Sequence, residues 1–141
     1  MQNITPIYTA EAVSTGGRRG HVRSSEGILD MDVSMPAEMG GNGGKANPEL
    51  LFAAGYAACF GGALGAVAKG RDISGAEVKA RVAIGKTEQG AFGLAVELHV
   101  SLPQLSAQEA EAIVAEAHGV CPYSLATQGN IEVKLFAQGK A

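Results

Sequence analysis

The sequence predicts an α+β fold, and two observations carry that reading. Short runs with an apolar side chain at every second position occur in three places, and two helical segments lie between them. Read in order they give βββ-α-ββ-α-β, antiparallel sheets around a long buried central helix, with no repeat at a solenoid period. At 141 residues with 46% apolar content the chain suits one core, and a single domain over 1–141 is expected.

The first strands are expected at residues 7–13, at His21–Ser24 and at 29–33, where Leu29-Asp30-Met31-Asp32-Val33 alternates apolar with acidic and Ser25-Glu26-Gly27 supplies the turn. Residues 35–46 contain Pro36 and the cluster Gly40-Gly41-Asn42-Gly43-Gly44, which reads as a loop. It is not a phosphate loop: Met39 stands where the first glycine belongs, and Ala46 where a magnesium-binding hydroxyl is required. The long helix has Asn47 as its cap, Pro48 in its first turn, Glu49 at the positive end of its dipole and Gly70 as its stop. Between these every residue is apolar or small, so the helix is expected to be enclosed on all sides, with close backbone approach at Gly55, Gly61, Gly62 and Gly65 and with Cys59 at its middle. Two alternating runs, 78–84 and 92–100, then form an antiparallel pair. Ser106-Ala107-Gln108-Glu109 matches a capping box, and Ala110, Ile113, Val114 and Ala117 form the apolar stripe of a second helix that stops at Gly119. Cys121-Pro122-Tyr123 follows as a loop, and residues 131–135 close the chain as a strand.

The formal charge of -3 and a pI near 5.6 supply no general attraction to phosphate backbones or anionic lipid, so no nucleic-acid partner is expected. Residues 50–68 carry no charge, the length at which a membrane span is considered. Their Ala and Gly content and the lack of aromatic and basic anchors on both sides favour a core helix and no membrane. The N-terminus lacks a basic start followed by an apolar run, so the expected compartment is the cytoplasm. Cysteines there are buried, reactive or metal-bound more often than permanently bridged.

A cysteine in an apolar helix is ordinarily a small hydrophobe. Cys121, at the end of a helix beside Pro122 and Tyr123, gives Cys59 a potential redox partner. Peroxide chemistry needs the thiolate, which is a minor form of an unassisted cysteine at neutral pH, so a cation must sit nearby. Gly16-Gly17-Arg18-Arg19-Gly20 can turn sharply and present a guanidinium, and Glu49 is the carboxylate available to hold it. Both also have plain readings, as a solvated turn and a decorated helix start. Ten residues separate Glu49 from Cys59, about 15 Å in an unbroken helix, so the two cannot meet within one helix. If Glu49 serves the thiolate, it reaches it from a second subunit.

The segments Ile7-Tyr8-Thr9-Ala10, Thr15-Gly16-Gly17-Arg18, Asn47-Pro48-Glu49, the run from Phe52 through Gly55-Tyr56-Ala57-Ala58-Cys59 to Phe60, and Cys121-Pro122-Tyr123-Ser124 together resemble the organic hydroperoxide resistance proteins. The likeness spans nearly the whole chain. Tyr56 favours this branch over the osmotically inducible one, which tends to carry His there. The resemblance implies an OsmC-like fold and an intertwined homodimer with sites at its interface. It also implies Cys59 as peroxidatic residue, Cys121 as resolving residue, Arg18 as activating cation, Glu49 as its partner, and Arg19 as bystander. Organic and fatty-acid hydroperoxides would be the substrates and dihydrolipoamide or a lipoylated protein the reductant, with no separate cofactor. Leu125 and Gln128 stand where the family more often has Asn and Arg, which bears on reductant docking.

Phe52, Tyr56, Phe60, Phe92 and Met35 are available to line a channel for a substrate tail, though each is ordinarily core. A zinc site from Cys59, Cys121 and His118 falls short of four ligands and lacks a Cys-x-x-Cys, so no metal is expected. His118, His21 and His99 read as a helix-end residue and two solvent-facing strand residues. A non-enzymatic redox sensor remains the alternative that the cysteines alone allow.

Overall fold

The computed structural model describes residues 1–141, which form two compact units, Met1–Pro48 and Glu49–Ala141. In the first unit, β1 (Ala12–Thr15), β2 (His21–Ser24) and β3 (Asp30–Asp32) make an antiparallel sheet in the order β1-β2-β3. The first strand lies later than residues 7–13. Its ladder matches only the four residues of β2, from Thr15↔His21 to Ala12↔Ser24, and the next backbone bond, Ser25 N–H to Glu11 O at 3.1 Å, ends the pairing. Ile7 and Tyr8 lie exposed beyond it.

The turn from β1 to β2 is a 3-10 segment, Gly17–Arg19, entered through Gly16 at φ 75°. Gly20 permits its closure, because a Cβ there would stand 1.8 Å from Thr15 O. Across β2 and β3 the His21 ring lies between Asp32 and Asp30, whose hydrogen bonds raise its pKa, Asp32 contributing most. The glycine-rich stretch is a loop with one 3-10 turn, Ala37–Met39, and returns to pair Val33 with Ala46.

The second unit begins with α1 (Pro48–Val67), which ends just before Lys69 and Gly70 at φ 47° and 84°. Arg71 caps that end, donating from Nε to Ala68 O at 2.9 Å while its guanidinium pairs with Glu116 at 2.6 Å. α1 is long and apolar enough to cross a membrane by length and composition. Within the chain, Tyr56, Phe60, Ala63 and Leu64 form a buried stripe at helical spacing. Ala54, Ala58, Gly62, Gly65 and Ala66 are exposed, so the chain's own core covers one side of the helix rather than all of it.

β4 (Glu77–Lys86) and β5 (Phe92–Ser101) pair antiparallel from Glu77↔Ser101 to Lys86↔Phe92, as the alternation predicts. Their inward side chains, with Leu102 and Leu105 beyond β5, pack on α1 residues and on the stripe of α2 (Ala107–His118). The capping box is formed: Ser106 Oγ accepts from Glu109 N–H, and the Glu109 carboxylate accepts from Ser106 N–H.

Two features depart from the expected pattern. After Gly119 the chain forms a short helix, α3 (Pro122–Thr127), instead of a loop, with Cys121 at its N-cap and Pro122 in its first turn. β6 (Val133–Gln138) then pairs with β5 in parallel, from Val96↔Val133 to Ser101↔Gln138, so this sheet, in the order β4-β5-β6, is mixed. Its start shifts past Ile131 because the Ile131 N–H is spent on Thr127 O at 3.1 Å. A parallel neighbour demands a crossover connection, and α2 with α3 provide it.

Candidate active site

Cys59 lies one turn past Tyr56 on α1 and is half-buried; Cys121 is fully buried in the crossover. The α2 stripe anchors Ala117, whose carbonyl accepts the Cys121 N–H at 2.9 Å, and the Cys121 carbonyl accepts from Leu125 N–H at 2.9 Å, starting α3. The fold thereby holds the two sulfurs 3.6 Å apart, both as free thiols, with the Cys121 S–H directed to Cys59.

α3 leans directly on α1 around this pair. The Tyr123 ring packs on Gly55, where a Cβ would come within 3.1 Å of its hydroxyl. The same ring joins Phe52 and Tyr56 in an aromatic group, with centroids 5.8 and 5.7 Å away. Burial pushes the Cys59 thiol pKa up; the Tyr123 backbone N–H, donating to the sulfur, draws it down, and the neighbouring Cys121 adds to the rise.

A polar chain ties the elements that carry the sulfurs. His118 Nδ1 stands 2.8 Å from Ser124 Oγ, which is 2.8 Å from the Tyr56 hydroxyl, itself 3.3 Å from Thr127 Oγ1. His118 is thus not an ordinary helix-end residue, and burial lowers its pKa. The sequence signal was slight: a histidine three positions before Cys121 and a serine three after it. The other histidines are hydrogen-bonded to carboxylates on their strands, His99 to Glu97 at 2.8 Å while stacked on Phe136.

Of the four site residues expected, Cys59 and Cys121 are brought together. Glu49 lies half-buried in the first turn of α1, at the far side of the helix's first three turns from Cys59. Arg18 lies half-buried in the 3-10 turn of the amino-terminal unit, and Arg19 beside it is exposed. Among the expected channel residues, Tyr56 and Phe60 are wholly core and Phe52 packs against them, whereas Phe92 is 70% exposed under the Lys86 ammonium. Met35 belongs to the amino-terminal unit. No three His, Cys, Asp or Glu side chains are gathered as a metal ion requires.

A family model described as OsmC-like protein matches residues 41–136. The organic hydroperoxide resistance protein OhrB of Bacillus subtilis is 48% identical over 132 residues, which cover 92% of this chain and 96% of that protein. An organic hydroperoxide resistance protein from Elizabethkingia anophelis, crystallised with thiocyanate bound, superposes with a TM-score of 0.90 at 49% identity, covering 96% of this chain and 99% of that one. A Vibrio cholerae protein with captopril bound in one of its active sites gives a TM-score of 0.88 at 42% identity over 96% and 94% of the two chains.

Proposed function

The chain belongs to the OsmC-like family and to its organic hydroperoxide resistance proteins, and from that premise we propose that it is a two-cysteine peroxidase for organic hydroperoxides. The observation that carries this reading is the approach of two free thiols to 3.6 Å. The Cys59 thiolate attacks the terminal peroxide oxygen, the O–O bond breaks, and the alkoxide leaves and takes a proton to become the alcohol. The sulfenic acid on Cys59 then condenses with the Cys121 thiol, expelling water and forming the disulfide. A dihydrolipoyl-type dithiol exchanges with that disulfide, returning both thiols and leaving as its own cyclic disulfide.

Burial opposes ionisation of Cys59, and the Tyr123 N–H offsets this only in part. The remaining activation is assigned to Arg18, with Glu49 orienting its guanidinium. Helix geometry keeps Glu49 about 15 Å from Cys59 along α1, so the pair acts from a second copy in a homodimer. The whole chain acts as one domain of this type, and its place is the cytoplasm.

Steady-state consumption of an alkyl hydroperoxide with dihydrolipoamide, beside hydrogen peroxide, tests the reading. Wild type turns over and prefers the alkyl hydroperoxide. Cys59→Ser has no activity, and Cys121→Ser reacts once and stops with its sulfenic acid trapped. Equal activity in all three proteins overturns the assignment, and a single stoichiometric oxidation of wild type with no turnover makes the protein a sensor instead.

A further inference from the structure

We infer that His118 is a positioning residue for the resolving sulfur: it sets the orientation of α3, and hence of Cys121, through a hydrogen-bond chain that ties α3 to α1. The inference rests on the two-cysteine reading and adds a residue that touches neither sulfur.

The chain links three elements. It starts on the last residue of α2, passes through Ser124 of α3 to Tyr56 of α1, and returns to α3 at Thr127. Cys121 lies midway between His118 and Ser124 in sequence, and Tyr56 lies one turn before Cys59, so the chain brackets both sulfurs. Ser124 and Tyr56 are fully buried and Thr127 is 7% exposed, so losing a partner there is not made good by water.

The proton count is closed. With a hydrogen on His118 Nδ1, the ring donates to Ser124, Ser124 to Tyr56, Tyr56 to Thr127, and Thr127 to the Ser124 carbonyl at 3.1 Å. Each hydroxyl then donates once and accepts once. Burial keeps the ring neutral near pH 7, so it has one ring N–H to place, and the Ser124 oxygen fixes where. Disulfide closure requires the Cys121 sulfur to approach the Cys59 sulfur opposite the departing oxygen, and the tilt of α3 determines that line of approach. The first step, attack of Cys59 on the hydroperoxide, depends on α3 only through the Tyr123 N–H that donates to the Cys59 sulfur, so a changed tilt affects it less than it affects closure.

The test separates the two steps in the full-length protein. One equivalent of alkyl hydroperoxide is added, and its consumption and the closure of the Cys59–Cys121 disulfide are followed separately, with dimedone as the trap for the sulfenic acid. In His118→Leu, consumption is expected to slow far less than closure, since α3 reaches that step only through the Tyr123 N–H, while closure slows by about 10- to 100-fold, the scale of a misplaced reacting group, and the dimedone adduct on Cys59 accumulates. His118→Asn places an amide N–H where Nδ1 stands and restores closure; His118→Gln, whose amide reaches the Nε2 position, does not. Nitrogen NMR of wild type should find Nδ1 protonated. Closure at the wild-type rate in His118→Leu overturns the inference while leaving the two-cysteine reading intact. Equal slowing in all three variants, following their loss of thermal stability, assigns His118 a purely structural role and overturns it as well. Failure of wild type to form the disulfide overturns the two-cysteine reading and this inference with it.

Discussion

At Cys59 two effects oppose one another: an apolar setting that disfavours the thiolate, and a backbone donor that favours it. Tyr123→Pro removes that donor, whereas Tyr123→Ala removes the ring and keeps the N–H. In a Cys121→Ser background, the pH profile of iodoacetamide alkylation is expected to shift upward for Tyr123→Pro relative to Tyr123→Ala, with slower labelling at neutral pH. Coincident profiles would show that the N–H does nothing for the sulfur. The two cysteines were legible as candidates because the chain has only two, one of them set beside Pro122 and Tyr123 at a helix end. His118 was not, since its partner Ser124 and the buried Tyr56 hydroxyl meet only when α2, α3 and α1 are packed. Hydrogen-bond partners on separate elements leave no periodic trace in a sequence.

Elements whose signal is local were read correctly, among them the α2 capping box and stripe and the β4–β5 hairpin. Those whose form depends on a partner were not. β1 starts where β2 can pair with it, and β6 joins β5 in parallel because the crossover returns it to that edge. α3 was hidden by its brevity, six residues opened by a proline. The central strand carries most of the inward packing, and Leu98 on β5 is fully buried among it. Leu98→Ala is expected to cost about 2–5 kcal/mol, transfer and cavity together. Chemical denaturation would show it as a lower midpoint with an unchanged slope. A loss below 1 kcal/mol would mean the core collapses around the gap.

Considered whole, the chain leaves one side of α1 uncovered, and past the exposed Leu50 in the first turn that side is made of Ala and Gly. A Cβ on Gly61, Gly62 or Gly65 meets nothing within 4 Å, although each glycine costs a helix interior about 1 kcal/mol relative to alanine. In the proposed homodimer such residues let two backbones approach closely. Gly62→Leu therefore distinguishes the two states: a lone chain gains helix propensity, whereas the dimer acquires a clash. Sedimentation velocity is expected to show dissociation at concentrations where wild type stays paired, and an unchanged sedimentation profile removes this helix from the interface. In the proposed cycle, the nearness of the sulfurs before oxidation has a separate effect on a dithiol reductant. Closing a gap of 3.6 Å to the roughly 2 Å of a bond asks for little rearrangement, so a docking dithiol encounters nearly the same local relief whichever form it meets. Discrimination then has to come from electron acceptance, and molecules already carrying two thiols compete as unproductive encounters.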